Sequence, residues 1–270
     1  MLGGGRKGMS MSGGDCVGTL VLSIDLELDI DHHDGKLERR LDEVRSQLVG
    51  MTRAAAIPAT WAVADPTLSA ASESILAAAC GHEIAVLGNQ AWLGPGCGRA
   101  RLARELARRF SAPRNLGIPV STLSLRNVDQ VPHLDLLLDY GVTALCSLPV
   151  EHLSLARKLG QPPIRFGLWQ PPAAWKLPPR ANWWSPAAWL FRREIKRVIR
   201  QRSLLHLRVD ASRLVGAPDQ AMDVIATMFR YVAAKRDAGQ LAIQTVAHLA
   251  AQALRDRAAI PSRSILRQAA

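Results

Sequence analysis

Charged and polar side chains recur at the C-terminal ends of apolar runs in this chain. "TLVLSIDLEL" ends with Asp25 and Glu27, "PVSTLSL" leads into Arg126 and Asn127, and "SLLHLRV" carries His206 and leads into Asp210. Side chains alternate along a strand, so Ser23, Asp25 and Glu27 share one face. Leu22, Ile24, Leu26 and Leu28 take the other. Two acids on one face at a strand mouth need cations, hydrogen bonds or a metal to offset their desolvation. Arg126 and His206 can supply this from other strands, and Asp25 is expected to be charge-paired with Arg126. A carboxylate can take a proton from water, and an imidazole can deliver one to a leaving group. The alternative is a satisfied polar layer that closes a barrel and does no chemistry.

The elements that would position these groups alternate. The apolar runs named above, with "ATWAVA", "HEIAVLG", "VTALCS" and "QLAIQT", have strand patterns. Between them lie helical periodicities. Leu37, Leu41, Val44, Leu48 and Met51 form one stripe, a basic helix spans 99–110, and Gly141 stops another helix at a C-cap position. Further helices are expected over 187–202, 217–238 and 246–255. From 161 to 189 the periodicity fails in a stretch rich in proline and tryptophan, expected to be an extended, packed excursion. Repeated strand–helix alternation argues for one α/β domain on parallel strands. An α/β barrel keeps functional groups at the C-terminal strand ends.

The fragments "SIDLEL", "PATWAV", "GHEI", "STLSLRN", "PHLDLLLDYGVTA" and "FRREIKRVIRQRSLLHL" occur in an order that resembles polysaccharide deacetylases of the NodB-homology type. The match is closest to a subgroup with Ser-x-Asp-x-Glu in the first strand and Arg-Asn after the fourth. It spans roughly residues 17–250. The resemblance implies a distorted (β/α) barrel, TIM-barrel-like, of about seven strands. Active members remove N-acetyl groups from amino sugars with a divalent metal, commonly zinc, which activates water and polarises the acetyl carbonyl. Carried over by position, Asp25 stands at the base, Arg126 at the residue orienting it, and His206 at or near the acid; Glu27 accompanies them.

The family's two metal-binding histidines follow the third strand, and here those positions are Leu87 and Ala91. Neither side chain has a lone pair to give a metal. No zinc or other cofactor is therefore expected. "HLRVDASRL" also lacks the His- and Pro-rich continuation of the subgroup. These departures imply a catalytically inactive barrel that binds a glycan or a partner in the old cleft. The alternative is an active hydrolase on carbon–nitrogen bonds that manages without the usual metal ligands.

Other signals have plainer readings. Asp29, Asp31 and His33 would share a face if the first strand continued, but neighbours on one strand cannot wrap an ion, and a solvated acidic loop is expected. His82, His133 and His248 are read as structural. Tryptophans could form a platform for sugar rings or anchor the proline-rich excursion, and packing is the simpler reading. If a sugar binds, Asn127, Trp92 and Trp169 are the candidate contacts. The basic helix "FRREIKRVIRQR" fits a membrane surface or a barrel helix with a solvated back, and its place among the matched fragments favours the barrel.

The 270 residues carry a formal net charge of +11. The arginines are spread over helical segments, which suits a solvated surface or an acidic partner and makes nucleic acid an unexpected ligand. The four cysteines include no CxxC pair, so no disulfide framework or zinc knuckle is suggested and a reducing cytoplasm is expected. No apolar run is long enough for a transmembrane helix. Residues 1–16 read as a flexible leader, 17–256 as the barrel and 257–270 as a tail.

Overall fold

The computed structural model describes residues 17–27, 35–68, 70–77, 80–94, 96–128, 130–147, 164–177, 186–216 and 219–259. The expected leader, most of the expected tail, the Asp29–Asp31–His33 run, Trp183 and Trp184 lie outside these residues. Among the described residues ten strands form one curled sheet, in the order β6-β7-β5-β4-β3-β2-β1-β9-β8, with β10 also paired to β1.

The long strands come from the apolar runs. They are β1 (Gly18–Asp25), β2 (Thr60–Val63), β3 (Glu83–Gly88), β4 (Val120–Leu125), β5 (Ala144–Cys146), β9 (Leu204–Asp210) and β10 (Leu241–Gln244). All of their mutual pairings are parallel. Most of their residues are buried, as a sheet covered on both faces requires.

The strand count exceeds the seven expected because the proline- and tryptophan-rich stretch adds three two-residue strands. These are β6 (Ile164–Arg165), β7 (Leu168–Trp169) and β8 (Trp175–Lys176). Phe166 and Gly167, with φ of 51° and 83°, turn β6 into β7. That positive-φ pair is what a two-residue hairpin loop demands. The sequence showed no strand there because two-residue strands have no measurable period.

Helices cover the outer face. In α1 (Gly35–Ala54), Val44 and Leu48 are buried, while Leu37, Leu41 and Met51 pack against the core at its margin. After α2 (Ala70–Leu76) and the short α3 (Gln90–Leu93), α4 (Arg99–Leu106) runs through a π-helical turn (Ala107–Ser111) into α5 (Ala112–Asn115). Then come α6 (Leu134–Asp139), α7 (Pro186–Gln201), α8 (Ala211–Val215), α9 (Asp219–Asp237) and α10 (Val246–Ala259). Phe191, Ile195 and Val198 of α7 are buried in the core, so this basic helix is a barrel helix. Among the described residues no helix is long and apolar enough to cross a membrane.

The concave face is partly filled by α10. Val246 and Ala250 pack with Val21, Ala144, Cys146 and Trp169. The start of α10 is held by Glu83, which accepts from the Ala247 backbone N–H at 2.8 Å and from the Thr60 hydroxyl at 2.9 Å. A carboxylate is favourable at a helix N-terminus. Glu83 therefore ties the last helix to the base of the sheet.

Candidate functional site

Period two along β1 and β9 sorts the site. Leu20, Leu22, Ile24, Leu205, Leu207 and Val209 go to the outer core. Ser23, Asp25, His206, Arg208 and Asp210 remain for the concave face and its mouth. In-register pairing sets Val21 beside His206, Ser23 beside Arg208 and Asp25 beside Asp210.

Asp25 is ion-paired with Arg208. Nε and Nη2 of the guanidinium each lie 2.7 Å from Asp25 Oδ2. Arg208 has no exposed surface and Asp25 is 3% exposed. Burial pushes the Asp25 carboxyl above its ordinary range, against the pull of the Arg208 charge. This corrects the expected Asp25–Arg126 pair. Arg126 lies farther out and holds the mouth together instead. It donates from Nη1 to the Glu27 carbonyl at 2.6 Å and from Nη2 to the Ser212 hydroxyl at 2.9 Å, with Asp210 at 3.8 Å.

One step deeper, His206 Nε2 lies 2.8 Å from the Ser23 hydroxyl. Burial, then the Arg208 charge, depress the imidazole to about 3. It is therefore neutral near pH 7 and lacks the imidazolium proton that a general acid would pass to a departing amine. Glu27, just beyond β1, accepts the Ala64 backbone N–H at 2.7 Å through its carboxylate. Burial raises its pKa, against that bond and the charge of Arg126. The strand stops at Asp25, so Glu27 serves as a tie to the end of β2 rather than extending the row of acids.

Asp210 gathers the remaining charges. It caps α8 by accepting the Ser212 N–H and hydroxyl at 3.2 and 2.6 Å, and it pairs with Lys176 Nζ at 2.9 Å. Arg213 is 3.7 Å away. Although burial opposes it, the bonds from Ser212 and Lys176 and the charge of Arg126 hold Asp210 below the usual carboxylate range. Arg208 and Lys176 were missed in the sequence. The alternation in "LLHLRVD" does put Arg208 on the face of His206, which was the available signal.

The positions expected for metal-binding histidines do not fit a metal. Leu87 is 1% exposed and packs with Ala62 and Ala85. Ala91 is exposed on α3, where its N–H is capped by Asn89. Among the described residues no group of three or more His, Cys, Asp or Glu side chains could hold an ion.

The sugar-contact candidates separate. Trp92 and Trp169 are 3% and 4% exposed, the first under the Arg109 guanidinium and the second in the α10 cluster. Both rings are buried among side chains rather than displayed at the mouth. Asn127 is exposed at the mouth, with φ of 55°.

The mostly parallel, curled strand–helix barrel matches the fold of deacetylase-like barrels among solved structures. A solved structure of a candidate polysaccharide deacetylase from Mycobacterium smegmatis is similar, with 16% identity and a TM-score of 0.65, covering 92% of this chain and 94% of that one. The 4-alpha-glucanotransferase of Thermococcus litoralis is similar over 86% of this chain and 40% of its own, at 12% identity and a TM-score of 0.58. No family model and no curated protein matches the sequence.

Proposed function

We propose that this protein is a non-hydrolytic barrel of the polysaccharide deacetylase fold that binds a glycan at its mouth. The observation that carries this reading is the buried Asp25–Arg208 pair. Amide hydrolysis needs a base free to meet water, a polarised carbonyl and a proton for the amine. The carboxylate at the base position is instead bonded to an internal cation and withdrawn from solvent. Leu87 fills a position where a metal ligand would be required, and His206 is neutral. Above this closed layer, Lys176 and Arg213 lie beside Asp210. Asn127 lies at the same end, and these polar groups suit sugar hydroxyls. Both similar structures are named for carbohydrate-acting proteins, which agrees with a sugar ligand.

The test is incubation with acetylated chito-oligosaccharides, with and without added zinc, cobalt or manganese, followed by acetate assay and calorimetric binding. The expected result is no acetate under any condition, with binding that Lys176→Ala weakens. Metal-dependent acetate release by the wild-type chain would overturn the proposal.

A further inference from the structure

The outer back of α7 carries a feature the barrel does not use. Trp189, Arg193, Lys196 and Arg200 follow at spacings of four, three and four residues, so they lie along one line of the helix. The buried face of Phe191, Ile195 and Val198 points the opposite way. The core is therefore satisfied without this stripe. Trp189 is 52% exposed, and the Arg193 guanidinium lies 5.3 Å from its ring centre. Arg197 flanks the line and bonds the buried Glu194 carboxylate. With Arg192, these side chains of the one helix border an open space of about 610 Å³. At 1.5 Å per residue the stripe spans about 16 Å, with a cation at roughly each turn.

We propose that this stripe binds a strand of acidic glycan, one bearing a carboxylate, sulfate or phosphate on its successive sugars. Three cations in a row match a linear run of anions. The indole at one end offers the apolar face on which a sugar ring stacks, and guanidinium contact orients that ring. A lipid surface fits less well, because the apolar side of α7 is already buried in the barrel and only Trp189 and Leu190 remain for insertion. The site lies on the outside of the barrel, and it extends the glycan-binding reading to a second, charged ligand.

Fluorescence anisotropy with labelled oligogalacturonate and the full-length chain tests the proposal. Binding is expected, weakening as salt rises. Arg193→Glu combined with Arg200→Glu should weaken it by about tenfold or more. Trp189→Ala should weaken it while leaving the salt dependence in place. Both variants should melt as the wild type does, since their side chains lie outside the core. The proposal is overturned by absence of binding or by binding indifferent to the arginine pair. Tighter capture of single-stranded RNA of equal charge, or of phosphatidylglycerol vesicles, would overturn it too. Neutral chito-oligosaccharide binding, sensitive to Lys176→Ala but not to the α7 variants, reports separately on the mouth.

Discussion

Arg208 and Asp25, 183 residues apart in the chain, meet inside the barrel with two guanidinium nitrogens on one carboxylate oxygen. The cation that faces this acid is part of the protein. A buried pair of this kind adds little net stability, because both desolvation penalties oppose the attraction. Breaking it is another matter.

Arg208→Leu should lower stability by about 3–5 kcal/mol, because Asp25 is left buried without a partner and must either stay charged or take up a proton, each at a cost. Asp25→Leu combined with Arg208→Leu should recover much of that loss. Urea denaturation of the two variants beside wild type checks this. A single variant as stable as wild type would mean that the acid reaches water.

Stability should also respond to acid through His206. Its folded pKa, about 3, lies below the ordinary 6.5. Below pH 6.5 the unfolded chain takes up a proton that the folded chain refuses, so stability falls as pH drops towards 3. The slope from this residue approaches about 1.4 kcal/mol per pH unit. His82, depressed to about 4 by burial, adds to the same trend. His206→Gln should flatten the melting profile between pH 6.5 and 4. An unchanged profile would show that the imidazole already titrates in the folded state.

Much of the barrel was legible because buried parallel strands read as apolar runs and their helices as 3.6-residue stripes. The site was less so. Asp25 and His206 stand out as polar residues at strand ends, but their partners depend on register. Pairing Ser23 with Arg208 brings the guanidinium within reach of Asp25, and no local spacing encodes that alignment. Lys176 was hidden for another reason: it sits on a two-residue strand inside an irregular stretch. The burial of Trp169 could not be separated from display on a platform until α10 was seen to pack on it.

Trp169→Ala discriminates those two roles. The ring packs with Val21, Ala144, Cys146, Val246 and Ala250, so its removal opens a cavity where α10 meets the sheet. The expected loss is about 3–5 kcal/mol of stability. Chito-oligosaccharide affinity, measured well below the lowered melting temperature, should be retained. Wild-type stability with abolished sugar binding would return Trp169 to the site.

Restoring ligands should not restore hydrolysis. Leu87→His with Ala91→His would supply two imidazoles at the positions the resemblance marks. The first would replace a leucine packed with Ala62 and Ala85, beside Ser124 in register on the next strand. Misfit of this kind costs about 1–3 kcal/mol. The second would project from an exposed turn with no partner fixed to orient its ring, and metal-binding histidines need such partners. Asp25 would still be held by Arg208, whose charge also repels a divalent ion. The double variant should therefore melt below wild type, bind zinc weakly in calorimetry, and release no acetate from acetylated chito-oligosaccharides. Adding Arg208→Leu would remove the internal cation and expose the remaining obstacle, the apolar wall of Ala62 and Ala85. Tight zinc binding by the double variant alone would show that the guanidinium can swing away from Asp25, and that the pair is a closed state of the site rather than its permanent filling.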